Sequence, residues 1–314
     1  MKRAQRIALI TAVATFALIA LGAYVRSSGS GLGCSDWPAC EGANILPTDR
    51  KSLIELSHRY LGTVVGLLVI TTAILSWKFY RHVPLVYRGA LINVPLVGLQ
   101  GLLGAVTVLK ELPPEIVATH LVTAMLVISL QIAILIGMVM EDPDRSFVVR
   151  EKAAAAGRVI GSRAVLALAG LAAVFWIGGF ITENGAAVAC SDWPGCNGSL
   201  LPARDDQEVT HMLHRYFAAG IVLLLIPVMR AAWGKADVLS WAPLVAVLLV
   251  GLYIAQVTIG ALNVFLTFPA LLTVAHTVVA ATIWVVLLSA AVLGYYRPVR
   301  ERHEVPLKNA EVSA

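Results

Sequence analysis

Long stretches without a formal charge organise this chain. Nineteen residues separate Arg6 from Arg26; Tyr60–Trp77 gives 18, Gly89–Leu109 gives 21, Ile116–Met140 gives 25 and Ala164–Thr182 gives 19. Val209–Met229 is interrupted only by Arg215, and Val238–Tyr296 runs for 59 residues. A membrane-crossing helix needs about 20 apolar residues. The last run is therefore read as two spans folded back near Asn263–Pro269, which brings the expected total to eight. Inside lipid every backbone N–H and C=O must be satisfied within the protein, and no alternating barrel pattern appears, so the spans are expected to be helices. The expected fold class is all-α, a polytopic membrane protein with eight transmembrane helices.

Composition sharpens this picture. Of 314 residues, 58% are hydrophobic and 14% charged, against about 25% charged in an ordinary soluble domain. A soluble enzyme, a disordered chain and a fibrous protein are excluded. The net charge of +5 raises the question of nucleic acid, but aromatic content is 7% and the basic residues flank the spans, which points to a membrane protein with no nucleic-acid partner. With the N-terminus placed in the cytoplasm, the 24 Lys and Arg divide 17 inside and 7 outside. That excess predicts both termini on the cytoplasmic side. The start, MKRAQR followed by an apolar run, resembles a signal peptide.

An internal repeat argues that this first helix is retained as an anchor. Cys34-Ser-Asp-Trp-Pro-Ala-Cys40 recurs as Cys190-Ser-Asp-Trp-Pro-Gly-Cys196, and His58-Arg59-Tyr60 recurs as His214-Arg215-Tyr216. Gln100 maps to Gln256, Gly104-Ala105 to Gly260-Ala261, Pro113 to Pro269 and His120 to His276, each pair 156 residues apart. A fixed offset joining rare residue types marks a duplicated unit. Since the unit holds an even number of spans, its two copies should be parallel four-helix bundles. The expected organisation is residues 1–140 as the first repeat, 141–163 as a cytoplasmic linker, 164–296 as the second repeat and 297–314 as a cytoplasmic tail.

The repeat also selects candidate chemistry. Of seven histidines, His82 and His303 fall in cytoplasmic segments and read as solvated side chains. His58, His120, His214 and His276 each lie near the outer start of an inward-running span, so each half holds two at similar depth. A lone intramembrane histidine is satisfied by a neighbouring carbonyl; depth-matched pairs repeated at a fixed offset point instead to metal ligation. Zinc would ask for four ligands, including Cys or carboxylate. Two imidazoles facing across an apolar bundle suit haem iron, with helix walls burying the porphyrin. Arg59 and Arg215 are candidate partners for haem propionates, or arginines snorkelling to the interface.

The remaining candidates are polar groups near the outer ends. Cys34 with Cys40 and Cys190 with Cys196 lie in outer loops, where an oxidising compartment favours disulfides. They read as staples over the bundle mouths, with an active redox pair as the alternative. Glu55 sits one turn from His58, and its counterpart is His211, the main chemical difference between the two pockets. A carboxylate there can accept a proton, or can simply suit the first turn of a helix. Gln100 and Gln256 read as interhelical hydrogen-bonding residues.

With these residues assembled, the chain resembles the haem A synthase family over nearly its whole length: eight spans in a 4+4 repeat, paired outer-loop cysteines, Glu55-x-x-His58-Arg59, His120, His214-Arg215 and His276. The resemblance implies oxidation of the C8 methyl of haem O to the formyl of haem A, by successive oxygenations through an alcohol. It implies a haem b cofactor on His214 and His276, substrate haem O on His58 and His120, and a catalytic part for Glu55. The implied location is the cell membrane, with the haem sites toward the outer side. Expected partners are the lipid bilayer, a haem O synthase and an electron acceptor. The competing reading is a di-haem b-type electron-transfer subunit, which would have no use for Glu55. A transporter built on parallel repeats fits less well, because its polar groups would sit at midplane.

Overall fold

The computed structural model describes residues 2–40, 42, 46–141, 151–201 and 205–296. Its helices are α1 (Arg3–Ser27), α2 (Arg50–Phe79), α3 (Pro84–Leu109), α4 (Pro114–Met140), α5 (Glu151–Glu183), α6 (Asp206–Gly220), α7 (Val222–Trp233), α8 (Ala242–Phe265) and α9 (Ala270–Tyr295), with a short 3-10 turn at Ala186–Val188. Among the described residues there is no strand, and 8 helices are long and apolar enough to cross a membrane. The sixth of these, Asp206–Trp233, comprises α6 and α7 together. It breaks at Ile221, between Gly220 and Pro227, residues that respectively weaken a helix and remove one ladder hydrogen bond.

Local chemistry sets the ends. Asp49 caps α2 by accepting from the amides of Lys51 at 2.9 Å and Ser52 at 3.1 Å, and Asp205 caps α6 through the Gln207 amide at 3.2 Å. Such caps satisfy donors that the helix leaves open, and the Ser52 amide holds the Asp49 carboxyl below its ordinary range. The charge-free run from Val238 to Tyr296 folds back as expected, between Phe265 and Ala270. That turn places Thr267 and Phe268 at φ 59° and 55°, and the α3–α4 turn places Glu111 and Leu112 at 57° and 60°. Each reversal is closed by a 2.7 Å bond, from Leu112 N–H to Thr107 O and from Phe268 N–H to Asn263 O.

The helices close into two rings. In one, α1 packs on α2 and α4, and α3 on α2 and α4; in the other, α5 packs on α6, α7 and α9, and α8 on α7 and α9. The rings meet where α1 and α4 lie against α9 and α4 lies against α5. Met125, Ile128, Leu225, Leu249 and Leu287 anchor the principal core. Large apolar side chains such as Leu67, Ile92, Leu102 and Val247 point outward, the pattern expected of surface that faces lipid rather than water. Helix α5 starts at Glu151, so residues 151–163, read above as linker, extend the fifth helix; Ala154, Gly157 and Ile160 are buried. Residues 142–150, the tail at 297–314 and His303 lie outside the described residues.

Candidate functional site

The four repeated histidines occupy matched places. His58 is the ninth residue of α2 and His214 the ninth of α6; His120 is the seventh of α4 and His276 the seventh of α9. His58 and His120 stand within electrostatic reach of each other, as do His214 and His276. All four are half-buried residues, yet each keeps a fully buried Nδ1 with no hydrogen-bond partner. An orphaned polar atom is costly at such a position.

Each imidazole lies against a glycine of the neighbouring helix. A Cβ on Gly22 would come within 3.0 Å of His58 Cε1, and one on Gly178 within 3.0 Å of His214 Cε1. The corresponding distances are 3.4 Å for Gly104 to His120 and 3.1 Å for Gly260 to His276. A side chain in these places would push the ring, so glycine leaves room for it flat against the helix. Gln100 Nε2 donates to the His120 carbonyl at 2.9 Å, whereas Gln256 Nε2 reaches the His276 ring itself at 3.1 Å from Nε2. Both are interhelical, as their sequence positions suggest.

Above the histidines, each disulfide loop is clamped by the arginine that follows the first histidine of its half. Cys34–Cys40 and Cys190–Cys196 are bonded, with S–S distances of 1.98 and 2.08 Å. Arg59 Nη1 donates to the carbonyls of Asp36 at 2.8 Å and Ala39 at 2.5 Å. Arg215 Nη1 donates to Asp192 O at 2.8 Å and to Gly195 O. Much of each guanidinium is thus committed to its loop; Arg215 Nη2 alone is buried without a partner. Glu55 is 3% exposed. Its Oε1 accepts from Arg59 Nη2 at 2.5 Å and its Oε2 from the Cys34 amide at 2.8 Å. His211 ties its own half together in another way, through Nδ1 to the Ala186 carbonyl at 2.9 Å.

Some residues at the site escaped the sequence reading. Arg26, in the last turn of α1, forms an ion pair with Glu183 of α5 at 3.8 Å and lies within electrostatic reach of His276. The pair has no counterpart in the repeat, so no sequence signal marked it. Gly22 and Gly178 did carry one, the same offset of 156 that joins the histidines. His82 is not part of this assembly. It lines a separate cavity of about 330 Å³ at the other end of the bundle, with Lys2, Arg3 and Glu141.

The donor set fits a haem. Among the described residues no three His, Cys, Asp or Glu side chains converge to hold a bare metal ion, but a porphyrin supplies its own equatorial nitrogens and needs only axial imidazoles. Paired histidines, each with a buried, unpartnered Nδ1 and a glycine-backed face, are the residues that could hold it.

Comparison with known proteins places the chain in a family. The model of the family described as "COX15-CtaA: Cytochrome oxidase assembly protein" matches residues 5–53 and 48–288. The chain is 32% identical over 231 residues to "Heme A synthase" of Shouchella clausii, covering 72% of this chain and 74% of that protein. It is 30% identical over 268 residues to "Heme A synthase" of Alkalihalophilus pseudofirmus, covering 82% and 87%. The protein of the same name from Bacillus cereus strain ATCC 14579 is 27% identical over 318 residues, covering 98% and 96%. Eight apolar helices and a match over most of its length establish that this chain is a multi-pass membrane protein belonging to the COX15-CtaA family of cytochrome oxidase assembly proteins.

Proposed function

We propose that this chain is a haem A synthase, an oxidoreductase that converts the C8 methyl of haem O to the formyl of haem A by successive oxygenations through an alcohol. The observation that carries the reading is the fourfold pattern of a histidine with an orphaned buried Nδ1 set against a helix glycine, twice in each half. Relatives named "Heme A synthase" over most of the chain support it.

The two halves are read as duplicated four-helix units with different tasks. His58 and His120 receive substrate haem O. His214 and His276 hold haem b, which when bound supplies one-electron redox chemistry. The division rests on a position next to the histidines where the two copies differ: Glu55 in the first half stands where His211 stands in the second. Glu55 and Arg59 place a paired carboxylate one turn from His58, suited to organising water or accepting a proton at the substrate side. The disulfide loops, clamped by Arg59 and Arg215, roof the two pockets and limit access of bulk water. An Arg215 Nη2 left without a hydrogen-bond partner suits a propionate. The Lys and Arg distribution supports cytoplasmic termini and haem sites toward the outer side.

Pigment extraction from the purified protein tests the reading. Haem B together with haem O or haem A is expected, and haem B alone in protein from cells that make haem O would overturn it. His214→Ala and His276→Ala should each lose or alter the b-type visible spectrum. A wild-type spectrum and haem content in both variants would refute the cofactor assignment.

A further inference from the structure

The first ring has a polar centre that the second ring lacks. Thr11 on α1, Thr72 on α2, Asn93 on α3 and Gln131 on α4 converge around a cavity of about 10 Å³, otherwise lined by aliphatic side chains such as Val69 and Ile134. The positions 156 residues on are Ala167, Val228, Leu249 and Leu287. All eight side chains are buried: the polar four are 1–4% exposed and their apolar counterparts 0%. The cluster is remote from the histidines. Gln131 lies 11 residues beyond His120 in the same helix, about 16 Å along its axis.

Its hydrogen bonding is incomplete in a specific way. The Thr11 hydroxyl donates to the Ile7 carbonyl at 2.8 Å, so at the 3.0 Å contact with Thr72 it must accept, and Thr72 donates. Asn93 Oδ1 and both Gln131 amide atoms are buried and have no protein partner. Such groups at membrane depth have no bulk water to turn to, and they require a partner. The cavity has room for about one water molecule, and a buried water typically makes about three hydrogen bonds. No charged side chain lines it, so a cation would sit there uncompensated, and any larger ligand is excluded by size.

We propose that this cavity is a binding site for a single internal water, which accepts from Gln131 Nε2 and donates to Asn93 Oδ1 and to Thr72 Oγ1, and so partners two of the three orphaned amide atoms. The second half, with Leu249 and Leu287 filling the equivalent space, is dry. The first half therefore carries a resident, exchangeable water inside its helical core. This inference does not depend on the haem reading, and the two can fail separately.

Radiolytic hydroxyl labelling of the full-length protein in a lipid nanodisc, in ¹⁸O-enriched water, tests it. Radicals formed from a bound water label adjacent side chains that bulk solvent cannot reach. Val69 and Ile134 should be labelled several-fold faster than Leu225, the equally buried counterpart of Val69 in the second half. The difference should be lost in the double variant Asn93→Leu, Gln131→Leu, which installs the residues of the second half. The comparison within the wild-type molecule stands even where that variant does not fold. Equally slow labelling of Val69, Ile134 and Leu225 in the wild type would overturn the proposal, as would direct pairing of the Asn93 and Gln131 amides without an intervening water in an experimental map.

Discussion

Glu55 shows how one side chain can serve two demands. Its two oxygens are taken by Arg59 and by the Cys34 amide, so it anchors the first disulfide loop as well as placing a carboxylate beside His58. Glu55→Gln retains an acceptor for the Cys34 amide but removes the charge opposite Arg59. The variant should fold, keep the haem on His214 and His276, and accumulate haem O or its alcohol at the expense of haem A, as measured by chromatography of extracted haems. Haem A at the wild-type rate would reduce Glu55 to a loop anchor. The glycine cradles give a second residue-level prediction. Gly178→Ala should favour the isolated helix by about 1 kcal/mol, yet its Cβ would lie 3.0 Å from His214 Cε1. It should therefore lower haem content per protein, measured as the pyridine haemochromogen, without lowering yield. Gly104→Ala, with 3.4 Å to His120, should be milder at its own site.

Between elements, α5 and α9 approach closely enough for their backbones to meet at glycines. A Cβ on Gly294 would run into the Gly157 carbonyl oxygen and lie 3.0 Å from Gly161 Cα. In lipid no hydrophobic effect drives helices together, so small residues that let backbones touch carry much of the association. Gly294→Ala should force the pair apart at a cost on the order of 1–3 kcal/mol, the usual range for overpacking. Thermal unfolding in detergent should register a lower midpoint. Gly98→Ala, with nothing within 4 Å of the added Cβ, should leave the midpoint unchanged or raise it. Equal midpoints for Gly294→Ala and wild type would mean that this contact is not limiting.

At the scale of the molecule, the rings are joined by specific bonds as well as by apolar packing. Trp284 Nε1 of α9 donates to Ser129 Oγ of α4 at 2.8 Å, and Arg26 of α1 pairs with Glu183 of α5 at 3.8 Å. Both disulfide loops lie at the end of the bundle where Arg26 and Glu183 meet. The 17:7 division of Lys and Arg predicts that this end is extracytoplasmic. An impermeant thiol reagent, applied after reduction to cells whose inner membrane is intact, should label Cys34, Cys40, Cys190 and Cys196. Labelling only after that membrane is opened would reverse the orientation.

The sequence by itself determined the spans, the reversal between Phe265 and Ala270, and the depth-matched histidines. Lipid tolerates no unsatisfied backbone and few charges, so charge-free runs translate almost directly into helices, and a fixed offset between rare residues survives in plain view. Partners that arise from packing between helices were not legible. Arg26 and Glu183 are 157 residues apart and belong to no repeat. Arg59 and Arg215 read from sequence as propionate partners or interface arginines, because their neighbours in the chain do not reveal the loop carbonyls folded over them. Asn93 and Gln131 stand 38 residues apart in separate spans, and only the packing of four helices brings them around one cavity. Periodicity and charge are properties of a segment and can be read along it. Which donor meets which acceptor is a property of how segments pack, and only the tertiary structure decided it.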